Sequence, residues 1–358
     1  MTRSACVRVD PRALQHNLAR VREAASGSRV MAVVKANAYG HGALAASSAL
    51  SAADAFAVAN IAEALRLREG GVSHPILSLQ GCRDSAELEL ADVHDIWIAV
   101  QRPGQIEMLE QASPSRPLRV WLKLNTGMNR LGLPAGEAAG WHGRLQGLQS
   151  VRDDIVLMTH LACADDRDDP ATRRQTNAFD RAVAGLPGEQ SIANSAGVLA
   201  FPETHRDWVR PGIMLYGSTP FPGTRPADNG LVPAMTFSAP LLAVDTRRRG
   251  DAIGYGGAWM CPEDMPVGVA AIGYADGYPR HAPAGTPVFV NGNLARLVGR
   301  VSMDMITIDL RGIEQPRVGD EVVGWGTAPG VDEVASAAGT IGYELLCNAG
   351  RCLDTAQC

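Results

Sequence analysis

Eight short, mostly apolar runs rich in β-branched residues recur along the first two-thirds of the chain. They are RVMAVVK ending at Lys35, DAFAVAN at Asn60, HPILSLQ at Gln80, DIWIAV at Val100, LRVWLKLN at Asn125, DIVLMTHL at Leu161, EQSIANS at Ser195 and WVRPGIMLYG at Gly217. Runs this short, with so few polar interruptions, are what strands buried on both faces look like. Helical patterns lie between them. IAEALRLREGG closes on glycines, and PATRRQTNAFDRAVAGLPG opens on a proline and closes on Gly-Leu-Pro-Gly, as helices begin and end. Strand and helix alternating eight times over this span predict an α/β fold with a closed, TIM-type (β/α)8 barrel. An open, doubly wound sheet is the competing fold, and eight units favour closure.

After about Gly230 the texture changes. AMTFSAPLLAVDTR, MPVGVAAIGYADGY, TPVFVNGNLARLVGRVSMDMITIDL and GDEVVGWG read as strands broken by Gly, Pro and Asn. VNGN (Val290 to Asn293) predicts a tight hairpin, because Asn-Gly suits a type I′ turn. Helical periodicity is almost absent until VDEVASAAG. The expected organisation is a barrel over residues 1–230 and a mostly β C-terminal domain over 231–358. The first ten or so residues are candidates to join the β domain.

Composition narrows the class. The chain has 358 residues, 46% hydrophobic and 20% charged, with a formal net charge of -5. Without a block of Lys or Arg, nucleic acid and anionic membranes are not expected partners. MTRSACVRVD carries no apolar segment, so no signal peptide is read there, and no apolar run approaches a membrane span. The seven scattered cysteines form no metal-binding spacing, and reduced cytosolic thiols are the expectation.

The first candidate chemistry lies in VVKANAYGHG, where an apolar run stops on Lys35 and enters a glycine-flanked turn. A lysine closing a strand is ordinarily a surface residue. In a barrel, however, chemistry sits at the C-terminal strand ends, and Lys35, His160, Asn194, Ser195 and Arg210 would face one mouth. A lysine half-buried there would have the depressed pKa that amine nucleophiles and imine-forming lysines need. ANSAG and VRPGI, after the seventh and in the eighth run, offer small residues and backbone N–H groups suited to a phosphate. A reactive lysine opposite a phosphate cradle suggests pyridoxal 5′-phosphate (PLP). These residues alone do not specify a reaction.

The motif series supplies one. AVVKANAYGHG, LKLNTGMNRLG, MTHLACADD, ANSAG, VRPGIMLYG, GYGG, IGYADGY, VGRVSMDM and GYE occur in that order over nearly the whole length. In them the chain resembles the alanine racemase family, PLP-dependent amino-acid racemases with a barrel and a C-terminal β domain. The resemblance implies that Lys35 carries PLP through an imine and then serves as the base for the D-enantiomer. It gives Tyr39, Ser195, Gly212, Ile213 and Tyr343 to the phosphate, His160 to the face of the pyridine ring and Arg210 to its nitrogen. Tyr255 would be the second base, acting on the L-enantiomer from the opposite face. Arg130 and the backbone around Met303 would hold the substrate carboxylate, and Tyr274 would line the substrate's access path. Lys123 aligns with a lysine that is carbamylated in some members. The resemblance also implies a cytoplasmic homodimer whose active sites are shared, D-alanine being supplied for peptidoglycan or alanine being catabolised. No metal is implied.

The residue types suit a racemisation. One base removes the α-proton on one face, and the conjugate acid of the other returns a proton on the opposite face. A free tyrosine is a poor base at neutral pH; positive charge passed along an Arg210–His160–Tyr255 chain would improve it. Arginine holds its proton, so Arg210 would leave the ring nitrogen unprotonated and limit side reactions. One position departs from the family: KLNTGM has Asn125 where aspartate is expected, which removes a charge near Lys123 and Arg130. The alternatives are a broader-specificity racemase, a PLP-dependent decarboxylase of the same architecture, which would want an acidic partner for the ring nitrogen, and a PLP-binding protein without catalysis.

Overall fold

The computed structural model describes residues 4–353. All eight apolar runs contain a strand: β2 (Arg29–Val33), β3 (Ala55–Val58), β4 (Ile76–Ser78), β5 (Ile96–Val100), β6 (Val120–Asn125), β7 (Val156–Met158), β8 (Gln190–Ser191) and β9 (Trp208–Val209). Each pairs in parallel with the next, and β9 pairs with β2, so the sheet closes into a barrel. A helix follows each strand from β2 to β8: α2 (Ala43–Ala49), α3 (Ile61–Glu69), α4 (Ser85–Val93), α5 (Pro103–Gln111), α6 (Ala138–Gln146), α7 (Ala171–Val183) and α8 (Ser195–Ala200). The eighth place in the outer layer is filled from before the barrel, by α1 (Pro11–Ala24), which packs against α2 and α8.

The eighth run is shorter than its apolar pattern predicts. Extended structure ends at Val209, and Ile213–Tyr216 is a 3₁₀ turn. Pro211 has no N–H to give a neighbouring strand. Gly217 is left-handed (φ 74°), and a Cβ there would stand 1.9 Å from the Val232 carbonyl oxygen. Tyr216 turns inward and donates to the Val33 carbonyl at 2.8 Å. Arg210 therefore sits at the C-terminal end of the eighth strand, not near the start of a long one.

Three tryptophans close the N-terminal end of the barrel. Trp97 on β5, Trp121 on β6 and Trp208 on β9 have ring centroids 5.7–6.4 Å apart, a contact that crosses the lumen. The Arg29 and Arg119 guanidinium groups lie over Trp208 and Trp97, 4.2 and 4.4 Å from the ring centroids. Glu189 accepts from Trp208 Nε1 at 2.8 Å and from Arg119 at 2.9 Å, and pairs with Arg29. With that end plugged by aromatic bulk, the opposite mouth is left to carry chemistry.

Beyond the barrel, β10 (Met235–Arg247), β11 (Met265–Ala270), β12 (Pro287–Val290), β13 (Asn293–Val298), β14 (Ile306–Asp309) and β15 (Glu321–Trp325) form an antiparallel sheet. It closes through β10–β15 pairing, and β1 (Cys6–Val9) joins it on β10. The β12–β13 hairpin turns at Asn291 and Gly292 with φ of 48° and 76°, as an Asn-Gly type I′ turn requires. Two helices follow, α9 (Val331–Ala337) and α10 (Gly342–Ala349). The expectation of reduced thiols throughout is corrected at Cys6, which is disulfide-bonded; Cys82, Cys163, Cys261 and Cys347 are free. Among the described residues no helix is long and apolar enough to cross a membrane.

Candidate active site

Lys35 lies two residues beyond β2, at the entrance to an unusual turn. Ala36, Asn37, Ala38 and Tyr39 all have φ of 52–54°, a full turn of left-handed helix made without glycine. Such a conformation costs about 1–2 kcal/mol per residue for L-amino acids, so the surroundings must hold it. Ala38 N donates to Val34 O and Gly40 N to Ala36 O, and the Asn37 side chain accepts from Ala43 N at 2.8 Å. Tyr39 stacks on Tyr216 with centroids 4.7 Å apart. Gly40 lies so close to α10 that a Cβ would stand 2.1 Å from the Leu346 carbonyl oxygen.

The mouth gathers cations. Burial and the Arg130 charge lower the Lys35 pKa, partly opposed by Glu63 and Cys347. Lys123, on β6, is pushed down to about 8 by burial and by Arg210, Arg130 and Lys35. Arg210 is fully buried and, among the described residues, faces no carboxylate: it donates to Ser191 Oγ and Thr159 O, both at 2.5 Å, to Ile192 O at 3.3 Å and to His160 Nδ1 at 3.3 Å. Because a guanidinium only donates, His160 must accept through Nδ1 and is neutral. Burial and the neighbouring cations hold its pKa well below the ordinary histidine value.

Opposite the lysine, Ser195 Oγ accepts from Gly212 N at 2.9 Å and from Met214 N at 3.4 Å. Gly212 is compact for a reason: a Cβ there would be 2.4 Å from Tyr39 Oη. Tyr343, on α10, approaches Tyr39 with ring centroids 6.0 Å apart. Lys35, Tyr39, Ser195, Gly212, Ile213 and Tyr343 thus meet where loops from β2, β8 and β9 converge with α10, and Lys123, Arg130, His160 and Arg210 border the lysine. Arg130 is exposed and has no hydrogen-bond or salt-bridge partner among the described residues.

Asn125 replaces the expected aspartate without breaking its loop. Its Oδ1 accepts from Gly127 N at 3.1 Å and Asn129 N at 3.0 Å, bonds a carboxylate could also make, and its Nδ2 donates to Asn129 Oδ1 at 3.0 Å. What is missing is negative charge, and Lys123 has no salt-bridge partner among the described residues.

Tyr255 and Met303 do not join this cluster within one chain. They are 68% and 55% exposed on the β domain, and Tyr255 makes no hydrogen bond or ring contact among the described residues. The expected relay from Arg210 through His160 to Tyr255 therefore exists inside one chain only as far as His160. Glu63, Asn37, Ser191 and Thr159, which orient the site's side chains or backbone, went unrecognised in the sequence. Only Glu63 carried a local signal, as the fourth residue of Asn60-Ile-Ala-Glu63, the pattern of a helix cap.

A closed barrel with a desolvated lysine and an acid-free arginine in its mouth, followed by an antiparallel β domain, defines the class: a barrel-type PLP enzyme acting on amino acids. Comparison with known proteins is specific. Residues 9–220 match the alanine racemase N-terminal domain and residues 234–356 the alanine racemase C-terminal domain. Alanine racemase of Thioalkalivibrio sulfidiphilus is 54% identical over 352 residues, covering 98% of each chain. The crystal structure of biosynthetic alanine racemase from Pseudomonas aeruginosa superposes with a TM-score of 0.93 at 45% identity, covering 98% of this chain and 97% of that one. Alanine racemase from Acinetobacter baumannii gives 0.92 at 39% identity, covering 99% and 98%. The chain belongs to the alanine racemase family, whose members are PLP-dependent isomerases.

Gly212→Ala should drive the Tyr39 hydroxyl aside and weaken PLP retention by about tenfold, the scale of moderate overpacking. In a Tyr39→Phe background the same substitution should cost less, since the clashing oxygen is gone. Equal penalties in both backgrounds, read from PLP release during dialysis, would refute the contact.

Proposed function

We propose that this protein interconverts L- and D-alanine with PLP, using Lys35 and Tyr255 as bases on opposite faces of the substrate. The observation that carries the reading is the half-buried, pKa-lowered Lys35 at the head of a turn whose Tyr39 hydroxyl abuts Gly212 in the Ser195–Gly212 cradle. The residues fit the cofactor. Backbone N–H groups at Gly212 and Ile213, the Ser195 hydroxyl and the Tyr39 and Tyr343 phenols suit a phosphate. Arg210 suits the ring nitrogen and His160 a ring face. When bound, PLP supplies the electron-withdrawing ring that makes the substrate α-proton acidic.

The chain's own groups account for the rest. Arg130, cationic and unpartnered, takes the substrate carboxylate through charge-assisted bonds, with the Met303 backbone on the other side. The Lys35 amine, destabilised as an ammonium by burial, accepts the α-proton of D-alanine at Nζ. Tyr255 Oη accepts that of L-alanine, and each base in its protonated form returns a proton for the other direction. A decarboxylase is disfavoured by Arg210, whose partners are hydroxyl, carbonyl and imidazole groups. Geometry favours a shared-site homodimer. Tyr255, Tyr274, Met303 and Met305 are 39–68% exposed on adjoining loops, Tyr274 N bonding Ser302 O and Ala275 N bonding Met303 O. Such an apolar patch seeks a partner, and the barrel mouth of a second copy needs a second base. The division into barrel and β domain near residue 230 and a cytoplasmic location belong to the same reading.

Lys123 titrating near 8, with no anionic partner, is suited to add carbon dioxide and place a carbamate beside Arg130. Carbon-13 bicarbonate should give a carbamate resonance that grows as pH rises toward 8 and vanishes in Lys123→Ala; a spectrum unchanged by the substitution would rule this out. Borohydride treatment of the purified yellow protein should fix the cofactor to the peptide containing Lys35, and labelling of any other lysine would defeat the assignment. Co-expressing Lys35→Ala with Tyr255→Ala, each inactive alone, should restore about a quarter of wild-type activity, since half of randomly paired dimers carry one intact site. No rescue would mean that each chain completes its own site.

A further inference from the structure

Glu63 occupies the first turn of α3, whose cap is Asn60; Asn60 Oδ1 accepts from Glu63 N at 3.0 Å. A glutamate at that position ordinarily folds back onto the N–H of the cap residue itself. Here its two oxygens are used elsewhere. Oε1 accepts from Ala36 N at 2.9 Å, and Oε2 accepts from Ala59 N at 2.8 Å. Ala36 directly follows Lys35 and is the first of the four left-handed residues. Ala59 directly follows β3. One carboxylate therefore ties the ends of two adjacent barrel strands together at the mouth, and one of those ties grips the peptide next to the lysine.

We propose that Glu63 is a positioning residue for racemisation, clamping the left-handed turn so that Lys35 Nζ and Tyr39 Oη are presented together to the cofactor. The proposal rests on the reading of Lys35 given above. Its physical basis is that four left-handed residues tend to relax, and a turn that unwinds from its first residue carries away the groups at both of its ends. A bond from a carboxylate to a backbone N–H is stronger than one between neutral groups, and this carboxylate makes two.

The carboxylate also acts through its charge. The groups that face the Lys35 amine are Arg130 beyond β6, Glu63 on α3 and Cys347 on α10, with Lys123 on β6 further shifted by it. Glu63 favours the ammonium, against burial and Arg130. Removing its charge must lower the pKa of the Lys35 amine, and the acid limb of D-alanine turnover must then move to lower pH. A role confined to fold stability would not move that limb.

The test uses the PLP-loaded enzyme. Glu63→Gln keeps the length but loses the charge and turns an N–H₂ toward one of the two N–H donors. Glu63→Asp keeps the charge but is a methylene too short to span both. Both should release PLP on dialysis about tenfold faster than wild type, the scale of one lost bond to a charged group. Glu63→Gln alone should shift the acid limb of kcat for D-alanine to lower pH, while the acid limb for L-alanine stays in place. Wild-type release with an unshifted D-alanine profile in Glu63→Gln would overturn the proposal. If Glu63→Gln does not accumulate as folded protein by circular dichroism, Glu63→Asp decides: faster release supports the clamp, and wild-type release overturns it. Borohydride labelling of the wild type separates the two levels. A label absent from Lys35 overturns the underlying reading, whereas a label on Lys35 with unaffected Glu63 variants overturns only the clamp.

Discussion

Positive charge gathered in a desolvated barrel mouth is the condition to which the rest of the molecule answers. Lys35, Lys123, Arg130 and Arg210 act on one another and on His160. An unpaired ammonium in such a place is costly, so the amines give up protons more readily than in water. That cost favours the neutral, nucleophilic form of a lysine amine. Arg210 keeps its charge because hydroxyl and carbonyl acceptors solvate it in place of water, and it thereby fixes His160 in its neutral form.

A site destabilised in this way has to be held by a rigid frame. The three-tryptophan plug with its Arg29–Glu189–Arg119 belt fills the far end of the barrel. At the near end α10 returns from beyond the β domain and seats its Leu346 carbonyl against Gly40, while Tyr343 on the same helix approaches Tyr39. The strained turn after Lys35 is thus held from the barrel side by Glu63 and Asn37 and from the C-terminal side by α10. Local strain of this kind persists only where the surroundings over-determine it.

Asn125 illustrates how a change of charge can leave geometry in place. Its amide oxygen keeps two backbone bonds and its amide nitrogen adds a third bond, to the Asn129 side chain. The loop that delivers Arg130 is therefore intact, and the consequence of the substitution is electrostatic: among the described residues no carboxylate pairs with Lys123.

The sequence by itself determined the eight strands, the change to antiparallel structure after Gly230 and the Asn291–Gly292 turn, and it singled out Lys35 as the candidate lysine. Each is written in local periodicity, turn chemistry or a contiguous motif. It overran the eighth strand, because the apolar residues of Ile213–Tyr216 pack inward from a 3₁₀ turn as well as they would from a strand, and hydrophobicity alone does not distinguish the two. Tertiary structure alone decided that α1 completes the helical layer, that Ala36–Tyr39 winds left-handed without glycine and that Glu63 bypasses its own cap to reach Ala36. The reason is physical: these features depend on partners distant along the chain, as in Glu63 reaching Ala36 and the Leu346 carbonyl seated against Gly40, and no local pattern encodes which distant group will arrive.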